Sequence, residues 1–180
     1  MHRRLLRPLV ALILLTGGAR GDCASLGPQR GHGGAVASAE AAATEVGLDT
    51  LRAGGNAVDA AVAVAIALAV VHPEAGNLGG GGFAVVRFEG EAYSLDFRET
   101  APAAATPDMY LDADGNKIPQ SSWVGPLATG VPGSPTGLWE LHRRFGALPW
   151  KDIVAPAIEL AKGFTVSRRL TDKIASKSDH

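Results

Sequence analysis

Residues 56–83 read "NAVDAAVAVAIALAVVHPEAGNLGGGGF", and this stretch decides the fold of the 180-residue chain. Its first part, residues 57–71, is apolar all round, which predicts a helix that is buried on every side. Asn56 can cap this helix, with Asp59 at the third helical position, and Pro73 ends it. About 12 uninterrupted apolar residues follow Asp59, whereas a membrane span needs roughly 20. The stretch therefore predicts a core helix.

The four consecutive glycines at 79–82 raise the question of a phosphate-binding loop. A Walker loop ends in Gly-Lys-Ser/Thr, but here Phe83 follows the last glycine. Gly79, Gly81 and Ala84 fit the spacing of a dinucleotide loop. That loop requires the order strand, loop, helix, so that a helix N-terminus faces the pyrophosphate, and here the order is helix, loop, strand. Two interpretations stay open: a tight connection between packed layers, or a loop that also forms part of a pocket.

The flanking sequence predicts a hairpin and four more helices. Residues 83–88 and 92–98 are rich in strand-forming residues and are separated by the turn-like Glu89-Gly90-Glu91. Capping and breaking residues set the expected helix limits. These limits are Ser38 (with Glu40 in the first turn) to Gly54-Gly55, Ser134-Pro135 to Gly146, Trp150 to Lys162 with a break at Pro156, and a last helix capped by Ser167.

The N-terminus has the pattern of an export signal. Residues 1–21, "MHRRLLRPLVALILLTGGARG", combine a basic start, a short apolar run and small residues before the expected cut. We expect a Gly/Pro/Arg-rich disordered linker over 22–33, a folded part over 34–180, and a periplasmic or extracellular location. A lipoprotein is the alternative at Cys23, although Asp22 stands where such signals have a small residue. As the single cysteine, Cys23 cannot form an internal disulfide.

The charge of the chain argues against nucleic-acid binding. Removal of residues 1–21 takes away four arginines and no acid, so 17 basic residues become 13 against 18 acidic ones. A protein with this excess of acidic residues has no electrostatic attraction to phosphate backbones.

Candidate site residues are sparse. His32, His72 and His142 show no metal-ligand spacing, and we expect no metal site. "DADGN", residues 112–116, resembles part of a calcium loop but lacks the later acid, which favours a surface turn. Arg98 lies between Asp96 and Glu99 in "LDFRET". An arginine in this setting either holds a ligand carboxylate through two hydrogen bonds or forms an internal ion pair, and spacing alone favours the ion pair.

The stretch "GGNAVDAAVAVAIALAVVHPEAGNLGGGGFAVVRFEGEAYSLDFRETAP", residues 54–102, resembles the gamma-glutamyltransferase family, also called glutathione hydrolases. The flanks extend the resemblance to about residues 34–170. It implies an α+β fold of the N-terminal-nucleophile hydrolase type, an αββα sandwich of which this chain supplies the front part. It also implies a precursor that cuts itself into large and small subunits. The freed threonine attacks gamma-glutamyl amides, with no metal or organic cofactor.

The same resemblance assigns roles to single residues. Arg98, in "DFRETAP", matches the family arginine that binds the α-carboxylate of the gamma-glutamyl group, and Glu99 beside it is expected to help position it. No catalytic residue is expected in this chain. Thr129 and Thr165 lie in segments that match other parts of the family, so neither is the nucleophile. One departure from the family is a slightly shorter loop between Leu160 and Gly163.

The implied substrates are glutathione and gamma-glutamyl peptides, with amino acids or dipeptides as acceptors and the small subunit of the same precursor as partner. We interpret the chain as the N-terminal portion of the large subunit, a fragment that is inactive alone. Two alternatives remain: a related gamma-glutamyl or glutaryl amide acylase, and a stand-alone secreted module without catalysis.

Overall fold

The computed structural model of the protein describes residues 31–176. The predicted export signal and most of the predicted linker lie outside the described residues. The described chain contains five α-helices, one antiparallel hairpin and a short 3-10 helix. In chain order these are α1 (Ala41–Arg52), α2 (Ala57–Val71), β1 (Phe83–Phe88), β2 (Glu91–Asp96), the 3-10 helix (Pro126–Ala128), α3 (Ser134–Phe145), α4 (Trp150–Lys162) and α5 (Arg168–Ala175).

Helix α2 lies at the centre of the packing, as its apolar sequence predicts. Its residues Val62, Ala63 and Ala67 are fully buried, and α1, α3 and α4 all pack against it. Burial is not complete, however, and Ala57 and Ala61 are exposed. The prediction of burial on every side is wrong at this point, because an open groove of about 550 Å³ separates that side of the helix from β1.

The start of α2 is fixed by a buried carboxylate. The Asn56 side chain accepts hydrogen bonds from the second and third helical N–H groups, and the Asp59 carboxylate accepts one from the backbone N–H of Asn56, which completes the predicted cap. Asp59 is fully buried. It also accepts hydrogen bonds from the backbone N–H groups of Ala147, at 3.0 Å, and Leu148, at 3.3 Å. The Asp59 carboxylate thus joins the start of α2 to the turn between α3 and α4.

Strands β1 and β2 form the predicted hairpin, with Phe83 opposite Asp96 and Phe88 opposite Glu91. Strand β2 begins one residue earlier and ends two residues earlier than predicted, so Arg98 follows the strand and the turn is Glu89-Gly90 alone. Glu89 and Gly90 both have positive φ, at 50° and 90°, as a two-residue hairpin turn of the primed type requires. One face of the hairpin packs on the core, where the Phe88 ring contacts the Phe145 ring at a centroid distance of 5.4 Å. The other face, which carries Phe83, is exposed.

Three predicted helix features differ in the structure. Helix α1 begins at Ala41, after Ser38, because the Ser38 hydroxyl lies 2.8 Å from the hydroxyl of Thr44 instead of capping the helix. Ser134 is the first residue of α3 and not its cap. Helix α4 passes through Pro156 without the predicted break.

A physical reason exists for the unbroken α4. A proline removes one helical hydrogen bond, here the bond to the carbonyl of Asp152 four residues earlier. Ile153 and Ala157 on the inner face are buried against the core. This burial on both sides of Pro156 offsets the missing bond.

None of the helices within residues 31–176 combines the length and the apolar content that a membrane crossing requires.

The predicted surface turn at 112–116 is confirmed. The carboxylate of Asp112 accepts hydrogen bonds from the N–H groups of Asp114 and Asn116, both at 2.9 Å.

Replacement of Asp59 by alanine should destabilise the fold strongly. Asp59→Ala leaves buried N–H groups without an acceptor, which should lower the free energy of unfolding by at least about 3 kcal/mol. The matched control is Asp49→Ala in α1, whose exposed carboxylate pairs with Arg52 and should contribute below about 1 kcal/mol. Urea denaturation of the native gene product measures both. Equal losses for the two variants would show that the buried carboxylate does not hold α2 in place.

Candidate functional site

Three backbone segments meet beside the hairpin, at residues 77–82, 97–100 and 130–134, and we call this arrangement the junction. Gly82 and Phe97 exchange two backbone hydrogen bonds, at 3.3 and 2.9 Å. Thr100 and Val131 exchange another two, at 3.1 and 2.8 Å. The middle segment, which carries Arg98 and Glu99, is therefore held by backbone bonds on both sides.

The glycines of the junction allow these segments to lie unusually close together. A Cβ atom added to Gly81 would lie under 3.0 Å from the backbone of Arg98, and one added to Gly133 would overlap the backbone of Phe97. Gly79 has open space around it. The glycine loop is thus a tight connection between packed segments. Gly81 and Gly82 also line a hollow of about 190 Å³, so the loop fits both interpretations that the sequence left open.

The junction also occupies the first backbone N–H groups at the start of α3. The first N–H groups of that helix region, those of Gly133 and Ser134, donate to the carbonyl of Gly80 at 2.8 and 2.9 Å. These groups are the ones that would bind an anion at a helix N-terminus. Since the Gly80 carbonyl already accepts hydrogen bonds from these groups, α3 needs no side-chain cap.

Asn77 is a residue of the junction that the sequence analysis missed. Its Oδ1 accepts a hydrogen bond from the N–H of Gly80 at 2.6 Å, and its Nδ2 donates to the carbonyl of Ala75 at 3.2 Å. The Asn-x-x-Gly spacing in "GNLGG" is a signal for such a turn. Asn77 fixes the loop whose Gly80 carbonyl receives the start of α3.

Arg98 lies at the end of the hairpin with its side chain 60% exposed. Its guanidinium Nη2 lies 3.2 Å from Glu99 Oε1, and its Cζ lies 6.0 Å from the ring centroid of Phe83. The Asp96 carboxylate accepts a hydrogen bond from the backbone N–H of Arg98 at 3.0 Å. The internal ion pair expected from spacing is therefore present between Arg98 and Glu99, whereas Asp96 bonds to the backbone of Arg98 and not to its guanidinium.

The charge of Glu99 is stabilised in this position. Hydrogen bonds from its own backbone N–H and from the Arg98 guanidinium hold the pKa of the Glu99 carboxyl below its ordinary value. Glu99 also lines a hollow of about 220 Å³ together with Thr129 and Tyr110. At neutral pH the Glu99 carboxylate therefore lies beside the exposed Arg98 guanidinium. The N–H groups of Arg98 that Glu99 does not use can form a two-pronged hydrogen bond to the carboxylate of a ligand.

His72 and His142 have partners other than Arg98. His72 is buried at the end of α2, 3.5 Å from Glu40 and 3.8 Å from Glu74. The His142 Nε2 atom lies 2.8 Å from the carbonyl of Leu148. Within the described part of the chain, no group of three His, Cys, Asp or Glu side chains has the geometry of a metal site.

Comparison with known proteins adds a family to this geometry. The sequence model of the gamma-glutamyltranspeptidase family matches residues 43–180. The glutathione hydrolase proenzyme of Pseudomonas aeruginosa is 55% identical over 136 residues, which cover 75% of this chain and 24% of that protein. The chain therefore spans about a quarter of the length of this curated relative.

Solved structures agree. The gamma-glutamyltranspeptidase of Pseudomonas nitroreducens, complexed with L-DON, is 49% identical with a TM-score of 0.76, over 82% of this chain and 45% of that one. The gamma-glutamyltranspeptidase of Helicobacter pylori is 44% identical with a TM-score of 0.80, over 83% of this chain and 43% of that one.

These structures are N-terminal-nucleophile hydrolases, and the chain has the α+β fold of that class, of which it forms the N-terminal part. Helices packed around α2, together with a two-stranded antiparallel sheet, are the portion of that fold seen here. The chain belongs to the gamma-glutamyltranspeptidase family. The resemblance recognised in residues 54–102 is thereby confirmed.

Two substitutions in one loop test the close approach at Arg98. Gly81→Ala should lower the free energy of unfolding by about 1–3 kcal/mol, since the added methyl group meets backbone that cannot give way easily. Gly79→Ala, in the same loop but with open space, should change it by less than about 0.5 kcal/mol. Urea denaturation of the native gene product distinguishes them. If Gly81→Ala is as mild as Gly79→Ala, the loop does not depend on the close approach.

Proposed function

We propose that the chain supplies the carboxylate-binding part of an enzyme that hydrolyses glutathione and other gamma-glutamyl amides and transfers the gamma-glutamyl group to amino acids or dipeptides. The observation that carries the proposal is the exposed Arg98 guanidinium, set on a backbone segment that the junction holds on both sides. Family membership supports the reaction class. Arg98 then binds the α-carboxylate of the gamma-glutamyl group, and Glu99 positions it.

In this mechanism the chain binds and orients the substrate. The Arg98 guanidinium anchors the α-carboxylate, which places the gamma-carbonyl at a fixed distance along the glutamyl side chain. The family resemblance assigns the attack on this carbonyl to a threonine of the small subunit of the same precursor. Because the Arg98 segment is held by backbone bonds, this anchor should bind the substrate equally in the ground state and the transition state, which lowers KM.

We further propose that the protein is made as an exported, self-cleaving precursor, with residues 1–21 as the signal and the periplasm or the extracellular space as its location. The term "proenzyme" in the name of the Pseudomonas aeruginosa relative supports cleavage, and the signal pattern of residues 1–21 supports export.

Mass spectrometry of the native gene product should show this processing. We expect intact-chain masses for two subunits and peptides that include none from residues 1–21. A single uncleaved chain that still contains those residues would contradict both export and cleavage.

Replacement of Arg98 should weaken the binding of gamma-glutamyl substrates. Arg98→Ala removes a two-pronged charged hydrogen bond, so we expect KM for glutathione to rise by at least about 100-fold. Arg98→Lys should recover part of this loss, because lysine keeps the charge without the planar fork. Steady-state kinetics of the native gene product measure both variants.

Arg87→Ala is the matched control, since Arg87 lies exposed on the outer face of β1 and should leave KM unchanged. An unchanged KM in Arg98→Ala would contradict the assignment of Arg98.

A comparison of two substrates distinguishes the proposed activity from that of a related acylase. A glutaryl amide keeps the terminal carboxylate of a gamma-glutamyl amide and lacks only the amine. Comparable turnover of glutathione and a glutaryl amide would favour the acylase alternative.

A further inference from the structure

The ring of Phe83 is a large apolar group that lies outside the core formed by the described residues. Phe83 is 66% exposed and lies on the outer face of β1, whereas Ala84, Val86 and Phe88 point to the packed face. The contact recorded for its ring is with the guanidinium of Arg98, at 6.0 Å from centroid to Cζ.

The register of the hairpin explains this contact. Gly82 and Phe97 exchange two backbone hydrogen bonds, so the next pair, Phe83 and Asp96, is the closely spaced, non-hydrogen-bonded kind. Arg98 lies two residues beyond Asp96 and is therefore the diagonal neighbour of Phe83. Diagonal neighbours on one face are within reach of aromatic and long side chains.

The two carboxylates next to Arg98 do not fix the orientation of its guanidinium, and the Phe83 ring can do so. The Asp96 carboxylate is turned toward the backbone N–H of Arg98, so it does not restrain the guanidinium. Glu99 holds one nitrogen of the guanidinium, at 3.2 Å. A single such bond fixes a distance but leaves the plane of the guanidinium free to turn, and an aromatic face is a surface on which that plane can rest.

We infer that Phe83 is a positioning residue for substrate binding: its ring, together with Glu99, orients the Arg98 guanidinium so that the remaining N–H donors meet the substrate carboxylate. The inference rests on the proposed function, in which Arg98 binds that carboxylate. Phe83 itself does not touch the reacting atoms. Its effect should appear in KM for gamma-glutamyl donors and leave kcat unchanged, because the anchor lies away from the gamma-carbonyl.

Kinetics of the native gene product with a gamma-glutamyl amide test the inference. Phe83→Leu and Phe83→Ile both remove the ring and keep an apolar side chain, and Ile also suits a strand. Each should raise KM about two- to fivefold with kcat unchanged. Phe83→Tyr keeps the ring and should therefore have the same KM as the wild-type protein. Val85→Ala is the control, at a position on the same outer face that is 83% exposed, and should have no effect.

A double-mutant cycle separates positioning from general structure. In an Arg98→Ala background, Phe83→Leu should cause no further rise in KM, because the group it positions is gone. A rise of the same size in both backgrounds would overturn the inference, as would a wild-type KM in Phe83→Leu or a KM in Phe83→Tyr as high as in Phe83→Leu.

These outcomes are distinct from failure of the proposed function. If Arg98→Ala raises KM while Phe83→Leu does not, only the role of Phe83 is wrong. If Arg98→Ala leaves KM unchanged, the assignment of Arg98 is wrong and the role of Phe83 falls with it.

Discussion

The buried carboxylate of Asp59 is the contact on which the remainder of the structure depends. It accepts hydrogen bonds from the backbone N–H of Asn56, which caps α2, and from that of Ala147, which lies 88 residues further along the chain. A fully buried charge is tolerated only when such donors surround it. By satisfying this requirement, the fold fixes the start of α2 relative to the turn between α3 and α4. The far end of α2 then determines where the glycine loop begins.

From that end, the position of Arg98 follows through backbone contacts. The loop after α2 can reach the segment of Arg98 only because Gly81 has no side chain, and it accepts the start of α3 through the Gly80 carbonyl. Arg98 is thus placed by main-chain bonds that do not depend on its own side chain. A side chain placed in this way keeps its position while its guanidinium stays exposed to solvent, as the proposed binding role requires.

Local signals in the sequence were sufficient for α2, its Asn56 cap and the hairpin, because each depends on residues within a few positions of one another. The sequence also pointed to Arg98, through resemblance and not through spacing. What it could not predict are contacts across long separations. No residue close to Asp59 in the sequence indicates that Asp59 contacts Ala147. Likewise, α3 begins after Gly133 without a serine cap because the Gly80 carbonyl accepts hydrogen bonds at that helix start, a contact that only the structure shows. The helical break predicted at Pro156 failed for the same reason, since burial of Ile153 and Ala157 outweighs a local preference.

The strengths of the contacts around Arg98 suit a binding group better than a structural one. An exposed ion pair such as that with Glu99 contributes about 0–1 kcal/mol, and an exposed aromatic contact about 0.5–1 kcal/mol. A ligand carboxylate that forms two charged hydrogen bonds gains about 1.5–3 kcal/mol for each. The internal partners are therefore strong enough to bias the orientation of the guanidinium and too weak to compete with a ligand. If Arg98 served stability alone, a buried or multiply bonded guanidinium would be expected, and its side chain is instead 60% exposed.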